Sequence, residues 1–172
     1  KISFDVVIVG CGVAALYAAL SLDKRLTCAL INKEGREESN SIYAQGGIAA
    51  VIQSTDNMQD HIEDTLFSGA GLCKKEAVRV LVEEGPRDIE RIIELGVPFD
   101  RDEEGNIQVT REGAHSHNRI LHCGGDATGF HLTKTLLRAV LERENVTVFD
   151  YECLSDICTD ENGRVAGITT ID

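Results

Sequence analysis

The stretch FDVVIVGCGVAALYAALSL, residues 4–22, decides the fold of this chain. Val6–Val9 is a continuous β-branched run, which predicts a strand buried on both faces. Gly10 and Gly12 remove side chains where the backbone turns, and Ala15 takes the third small position of a GxGxxG/A motif. Because the motif lies between a strand and an apolar-faced helix, it predicts a turn that admits a diphosphate to the helix N-terminus. A tight turn without a ligand is the alternative.

The composition limits the classes of function. With 172 residues the chain is long enough for one domain with a real core. Its 17 Lys and Arg against 29 Asp and Glu give a net charge of −12, which repels phosphate backbones, so we expect no nucleic-acid partner. No apolar run approaches the roughly 20 residues of a membrane span, so we expect no membrane association. No signal region precedes the first strand, and six cysteines without CxxC spacing suggest reduced thiols; both favour a cytoplasmic location.

Four further segments predict strands. Residues 26–31 would complete a β-α-β unit, and Val146–Phe149 would add a third parallel strand. Residues 154–158 and Val165–Ile171 flank an Asn-Gly pair, which is typical of a β-hairpin. The predicted fold class is therefore α/β and Rossmann-type, with a parallel sheet, flanking helices and a hairpin, forming part of a larger domain.

Apolar periodicity predicts four more helices, whose stripes we assign to the core rather than to cofactor contacts. Met58, Ile62 and Leu66 follow a cap at Asp56. The other predictions are a helix marked by Ala77, Val80 and Leu81 and ending near Gly85, a helix begun by Pro86 with Ile89, Ile92 and Ile93, and a helix over 131–143. Residues 97–130 show little regular pattern.

Asn32 ends the second predicted strand, 17 residues beyond Ala15. A Rossmann fold usually places an acidic ribose partner near this position. The Asn32 amide can still bond a hydroxyl, so we predict a cofactor contact there.

Residues 39–48, SNSIYAQGGI, are polar and carry adjacent glycines at Gly46 and Gly47. Such a segment can lay its backbone N–H groups against the edge of a planar ligand. A plain surface loop is the alternative.

Residues 110–122, TREGAHSHNRILH, concentrate basic groups in an acidic chain. This concentration predicts an anion pocket for carboxylates. The segment's candidate side chains are Arg111, Glu112, His115, His117, Arg119 and His122. Three of the histidines and Cys123 are competent metal ligands, but their spacing matches no closed zinc pattern, so we predict no metal site. A solvated loop is the remaining alternative.

Six motifs in order give the chain a family resemblance: GCGVAA, SNSIYAQGGIAAV, HIEDTLFSGAGLC, LGVPFDR, TREGAHSHNRILH and DATG. They resemble the start of the aspartate-oxidising branch of the succinate dehydrogenase/fumarate reductase flavoprotein family, over essentially the whole chain. The resemblance implies FAD on the glycine turn. It also implies that residues 1–172 form the N-terminal part of a discontinuous FAD-binding domain, without the capping domain and the remainder of the FAD domain.

The resemblance carries site residues over to this chain. Cofactor contacts would come from the glycine turn at the diphosphate, Lys33 at the adenosine ribose, residues 40–47 toward the isoalloxazine, and the backbone at residues 153–154 by the adenine. The implied cofactor set is Gly10, Cys11, Gly12, Val13, Ala14, Ala15, Asn32, Lys33, Asn40, Ser41, Ile42, Tyr43, Ala44, Gln45, Gly46, Gly47, Cys153 and Leu154. The implied substrate set is Glu112, His115, His117 and Gln45, with Glu112 as the catalytic residue.

Two positions discriminate within the family. Covalent-flavin members carry a histidine where this chain has Asn40, so we expect noncovalent FAD. Glu112 can pair with the α-ammonium of L-aspartate, whereas succinate has only carboxylates to offer it. The alternative role for Glu112 is an ion pair with Arg111 or Arg119.

The implied reaction is oxidation of L-aspartate to iminosuccinate, with hydride passing from Cα to flavin N5 and oxygen or fumarate as acceptor. It would be the first step of NAD biosynthesis through quinolinate, with quinolinate synthase as a candidate partner. Two alternatives stay open: the flavoprotein subunit of a fumarate reductase or succinate dehydrogenase, and a non-catalytic nucleotide-binding module. We expect the 172-residue chain alone to be inactive and to hold FAD weakly, because it ends before the capping domain and before the sheet is complete.

Overall fold

The computed structural model describes all 172 residues, and the chain divides into two compact units. The first unit comprises Lys1–Tyr43 and Leu132–Asp172, and the second comprises Ala44–His131. The elements in chain order are β1 (Val6–Val9), α1 (Val13–Ser21), β2 (Cys28–Ile31), β3 (Ile48–Ala49), α2 (Met58–Ser68), α3 (Lys75–Glu94), β4 (Val109–Thr110), β5 (Ile120–Leu121), α4 (Thr128–Leu141), β6 (Val146–Phe149), β7 (Cys153–Thr159) and β8 (Val165–Ile171).

The first unit contains a three-stranded parallel sheet in the order β1-β2-β6. All four residues of the central strand β2 are buried. Strand β1 lies at an edge, and its Val7 and Val9 side chains are 39% and 50% exposed. The prediction that β1 is buried on both faces is therefore wrong for this structure, because Val7 and Val9 lie on the same face of the strand and that face is open to solvent.

Helix α1 follows the glycine turn as predicted, and it buries Leu16, Ala19 and Leu20. The Arg143 guanidinium donates to the carbonyl oxygens of Leu20 and Leu22, which satisfies acceptors at the end of this helix. The predicted strands at residues 26–31 and 146–149 are confirmed, although the first begins two residues later, at Cys28.

The predicted hairpin is also confirmed, since β7 and β8 pair antiparallel. Asp160 Oδ1 accepts the backbone N–H groups of Asn162 and Arg164, and Gly163 has a φ of 76°. A side-chain acceptor at the start of the turn and a glycine in the left-handed region close it without strain.

Helix α4 begins at Thr128, three residues before the predicted start. Its buried apolar stripe starts only at Leu132 and continues through Leu136 and Val140. Periodicity therefore carries no signal for the first turn of this helix.

The second unit holds a small antiparallel sheet in the order β3-β5-β4 and helices α2 and α3. Each strand of this sheet has two residues. Two residues are too few to show an alternating apolar pattern, so β4 and β5 could not be predicted within residues 97–130. Helix α2 is capped by Asn57, whose Oδ1 accepts from Asp60 N at 2.9 Å. The predicted cap at Asp56 is wrong, because the Asp56 carboxylate is bound to a guanidinium.

Helix α3 is continuous over twenty residues and includes Pro86. The prediction of two helices divided at Gly85 is wrong, and Val80 and Leu81 are exposed rather than core. The buried stripe consists of Val78, Val82, Ile89 and Ile92, and it keeps helical spacing across the proline. Burial of that stripe outweighs the roughly 3 kcal/mol that an interior proline costs. None of the four helices combines the length and apolarity that a bilayer span requires.

Candidate functional site

A cavity of about 540 Å³ lies in the first unit, beside the carboxyl ends of β1 and β2. The glycine turn, the segments after β2 and the start of β7 line it. The carboxyl edge of a parallel sheet is where open α/β folds bind ligands, because helix N-termini and loops converge there. The cavity size lies within the usual range for small-molecule and cofactor sites.

The glycine turn leaves backbone free for a ligand. Gly10 has a φ of 110°, and no atom lies within 4 Å of the place where a Cβ would stand. Gly12 is the N-cap of α1, makes no side-chain cap, and is followed by a first turn without acidic residues. These features fit a phosphate group, because N–H groups at a helix N-terminus attract anions.

Ser41 closes one side of this turn. Its Oγ accepts the Val13 N–H at 3.1 Å, and it would lie 3.0 Å from a Cβ on Gly12. The Tyr43 hydroxyl donates to Glu38 at 2.6 Å. The segment after β2 is thereby attached to the start of α1 and turns polar groups toward the cavity.

Asn32 is buried and lines the cavity, but much of its side chain is used within the fold. Its Nδ2 donates to the carbonyl oxygens of Glu34 and Gly35 at 3.0 and 2.9 Å. Only Oδ1 is left for a ribose hydroxyl. The Asn32 and Glu34 carbonyl oxygens also accept from Glu152 N and Tyr151 N, so the loops after β2 and β6 are joined.

The charge around the cavity comes mainly from carboxylates. Lys33 is the one basic side chain among the lining residues, against Glu34, Glu38 and Glu152. A diphosphate would therefore depend on backbone N–H groups and Lys33. Burial, reinforced by Asp150, raises the pKa of the Cys11 thiol to about 11, so that lining thiol stays protonated at neutral pH.

Ten of the predicted cofactor residues line this one cavity. They are Gly10, Cys11, Gly12, Asn32 and Lys33, and then Asn40, Ser41, Tyr43, Cys153 and Leu154. Of the remainder, Val13 bonds Ser41, while Ala14, Ala15 and Ile42 do not line the cavity. Ala44, Gln45, Gly46 and Gly47 belong to the second unit, as do the predicted substrate residues Glu112, His115 and His117. Sequence reasoning missed the lining residues Glu38 and Glu152, which carry no motif.

The paired glycines of the second unit have different environments. A Cβ on Gly47 would overlap Ile120 Cγ2 and would stand 2.5 Å from the Leu121 carbonyl oxygen and 2.9 Å from His122 Cε1. Gly46 has nothing within 4 Å of the same position. Gly47 is therefore required by packing against β5, and only Gly46 leaves space for a ligand.

Arg119 is fully buried and is held by two carboxylates. Its Nε and Nη2 donate to Asp56 at 2.8 and 2.7 Å, and its Nη1 donates to Asp64 at 2.7 Å. The prediction that Arg119 belongs to an anion pocket is wrong, because its charge is compensated inside the fold. Burial opposes ionisation of Asp64, but hydrogen bonds from Ser116 and Arg119 prevail and lower its pKa to about 2.

The histidines of this segment are also engaged. His117 Nε2 lies 2.7 Å from Asp60 Oδ2, and His115 Nδ1 lies 3.5 Å from Arg119 Nη1. The His115 ring contacts the buried His61 ring, with centroids 5.7 Å apart. Burial, followed by the Arg119 charge, lowers the pKa of His61. No group of three or more His, Cys, Asp or Glu side chains is arranged to hold a metal ion.

Sequence reasoning missed the acidic partners of this segment. Asp56, Asp60 and Asp64 recur every four residues, a spacing that places carboxylates on one side of a helix and its preceding turn. That spacing, set against the basic residues of 115–119, was the available signal.

Glu112 forms no ion pair with Arg111 or Arg119. Its side chain is 53% exposed, and its Oε1 lies 3.6 Å from His122 Nε2. The alternative that Glu112 forms an ion pair with Arg111 or Arg119 is therefore wrong, and the Glu112 carboxylate is accessible to solvent.

The glycine turn at the carboxyl edge of a parallel sheet agrees with a comparison against protein families. The family described as "FAD binding domain" matches residues 5–172, so the chain belongs to that family, as it occurs in the succinate dehydrogenase/fumarate reductase flavoproteins. FAD is accordingly its cofactor, and the predicted fold class and cofactor are confirmed.

The particular relatives are L-aspartate oxidases, which confirms the predicted resemblance. The L-aspartate oxidase of Streptomyces coelicolor is 44% identical over 169 residues, covering 98% of this chain and 29% of that protein. The chloroplastic L-aspartate oxidase of Arabidopsis thaliana is 43% identical over 160 residues, covering 93% of this chain and 24% of that protein. The chain thus spans 29% and 24% of the length of these two relatives, less than a third of either.

A solved structure shares the fold over nearly the whole chain. The FrdA chain of Escherichia coli quinol fumarate reductase superposes with a TM-score of 0.94 at 32% identity, covering 99% of this chain and 29% of that one.

Proposed function

We propose that this chain supplies the glycine-turn part of the FAD site in an enzyme that oxidises L-aspartate to iminosuccinate, with oxygen or fumarate as acceptor. The observation that carries the proposal is the accessible Glu112 carboxylate, which no arginine or lysine neutralises, in a chain 44% identical to an L-aspartate oxidase. A free carboxylate attracts the α-ammonium of an amino acid and repels a simple diacid.

The residues around the cavity fit FAD. Gly10 and Gly12 give the diphosphate access to the start of α1, Lys33 supplies a positive charge, and Ser41 holds the adjoining segment. When bound, FAD supplies the hydride acceptor. The role of this chain is to bind and orient the cofactor and to place a negative charge for the substrate amino group.

We also propose that FAD binds without a covalent link. Asn40 lines the cavity and offers an amide where covalent-flavin relatives have a histidine. Acid precipitation of the holoenzyme should release all flavin into the supernatant. Flavin retained in the pellet would contradict this proposal.

The pathway, partner and location are further proposals. Iminosuccinate would enter NAD biosynthesis through quinolinate, which makes quinolinate synthase a candidate partner. The predicted cytoplasmic location stays a prediction, since the names of some relatives include "chloroplastic".

The test uses the full-length polypeptide that contains this chain, with Glu112→Gln and a control Glu104→Gln on another exposed glutamate. Loss of the charge-assisted hydrogen bond should lower kcat/KM for L-aspartate by about 30-fold or more, while fumarate reduction stays near the wild-type rate. The control should match wild type with both substrates. An equal loss for both substrates would remove the role given to Glu112.

The alternative function is a fumarate reductase flavoprotein subunit. It is favoured by the superposition on the E. coli quinol fumarate reductase chain at 32% identity. A wild-type enzyme that reduces fumarate and shows no aspartate-dependent peroxide formation or fumarate consumption would establish this alternative instead.

A further inference from the structure

His122 occupies a fixed position beside the paired glycines of the second unit. It follows β5, and its Cε1 would lie 2.9 Å from a Cβ on Gly47. Its side chain is 18% exposed, and the pairing of β4 with β5 places Thr110 opposite Ile120. The imidazole therefore has little freedom to move relative to Thr110.

The Nε2 atom of His122 lies between two oxygen atoms. It forms a hydrogen bond with Thr110 Oγ1 at 3.0 Å. Its distance to Glu112 Oε1 is 3.6 Å, which is too long for a hydrogen bond. The Glu112 side chain is more than half exposed, so a small side-chain rotation can bring its carboxylate within bonding distance of Nε2.

The other ring nitrogen indicates the tautomer. Nδ1 of His122 is buried and has no hydrogen-bond partner. Buried N–H groups without an acceptor are rarer than buried acceptors without a donor. We therefore assign the proton to Nε2, where Thr110 Oγ1 accepts it and Glu112 Oε1 lies next nearest.

We propose that His122 is a positioning residue for Glu112. In the substrate complex its Nε2–H, which contacts Thr110 Oγ1 in this structure, is shared with one carboxylate oxygen of Glu112 and leaves the other oxygen directed to the amino group of the substrate. This inference rests on the proposed function, and it adds a residue outside the substrate and cofactor sets that the family resemblance implies. A hydrogen bond from the imidazole restricts the rotation of the Glu112 carboxylate and so lowers the ordering cost of substrate binding.

The test measures L-aspartate and fumarate separately, because only L-aspartate has an amino group. In the full-length holoenzyme, His122→Phe removes both ring nitrogens and His122→Gln keeps an N–H donor. His122→Phe should weaken L-aspartate binding about fivefold to tenfold, measured both as KM and as the dissociation constant from the flavin absorbance change. His122→Gln should recover most of that loss, the KM for fumarate should stay unchanged, and His131→Phe is the matched control.

A double-mutant cycle with Glu112→Gln separates positioning from a general structural role. In the Glu112→Gln background, His122→Phe should cause no further loss of L-aspartate binding. Fully additive losses, or equal effects on the two substrates, would overturn the inference. If His122→Phe does not fold, the same cycle with His122→Leu gives the same decision. A wild-type enzyme without L-aspartate oxidation would overturn the proposed function, whereas an active wild type with an additive cycle would overturn only the role of His122.

Discussion

The Arg119 guanidinium and the Asp56 carboxylate form a doubly hydrogen-bonded ion pair in which the two side chains are 0% and 1% exposed. Asp64 accepts a third hydrogen bond from the same guanidinium and two from Ser116. These bonds attach the residue 110–122 segment to the turn before α2, through Asp56, and to the helix itself, through Asp64. The segment that carries Glu112 is therefore held in the second unit by the ion pairs of Arg119 with Asp56 and Asp64.

Arg119→Met should be among the most destabilising substitutions in the chain. Removing the cation leaves two carboxylates without their partner, and breaking a buried pair in this way costs about 3–5 kcal/mol. Chemical denaturation of the full-length protein measures the loss. Arg25→Met, which breaks the exposed pair with Asp23, should leave the midpoint unchanged. A loss below about 1 kcal/mol at Arg119 would show that the pair does not hold this segment.

The stability of the second unit should decline in acid because of Asp64. Its folded pKa of about 2 lies below the ordinary value of 3.8, so the unfolded chain binds more protons between these values. The contribution is fully present above about pH 4 and is lost as the pH falls toward 2. Thermal unfolding midpoints between pH 5 and pH 2.5 should fall less steeply for Asp64→Asn than for wild type. A wild type and variant with parallel pH profiles would contradict the assignment.

Bound FAD should protect one exposed thiol and leave its neighbour reactive. Cys153 lines the cavity, whereas Cys158, on the same strand β7, does not. Both are exposed free thiols. Alkylation followed by mass spectrometry should show Cys153 slowed in proportion to bound FAD while the rate at Cys158 is constant. Cys11 should react slowly throughout, because burial raises its pKa to about 11. Equal protection of Cys153 and Cys158 would place FAD elsewhere.

Gly46→Ala and Gly47→Ala should separate ligand approach from packing. Gly47→Ala forces a Cβ against Ile120 and the Leu121 carbonyl and should cost about 1–3 kcal/mol of stability or more. Gly46→Ala meets open space and should change the free energy of unfolding by less than about 0.5 kcal/mol. Because Gly46 is a predicted cofactor contact, Gly46→Ala should raise the FAD dissociation constant while the free energy of unfolding stays unchanged. Unfolding curves and flavin fluorescence titration give the two quantities.

The elements that could be predicted are those with a strong local signal. The glycine turn between β1 and α1 is punctuated by residues that permit only a few conformations, and the Asn-Gly pair between β7 and β8 selects a tight turn. Helix α4 has a long apolar stripe. In each case the signal lies within about ten residues, so no knowledge of distant contacts is needed.

The elements that were predicted wrongly depend on distant partners. Pro86 is a local helix breaker, yet α3 continues through it because one stripe is buried on both sides of the proline. Asp56 is a good N-cap by type, but its carboxylate is bound to Arg119, 63 residues later, and Asn57 takes the capping role.

The amino-acid sequence by itself determined the class of cofactor site and the backbone segment that forms it. The reason is that small residues at a strand–helix junction act through local geometry. Only the tertiary structure decided which charges remain available. In the folded chain the Arg119 charge is neutralised by Asp56 and Asp64, and the Asn32 amide nitrogen is hydrogen-bonded within its own loop. The Glu112 carboxylate lies beside His122. The physical reason is that neutralisation of a charge depends on which groups the folded chain brings within about 3 Å, and residue spacing along the sequence does not specify that distance.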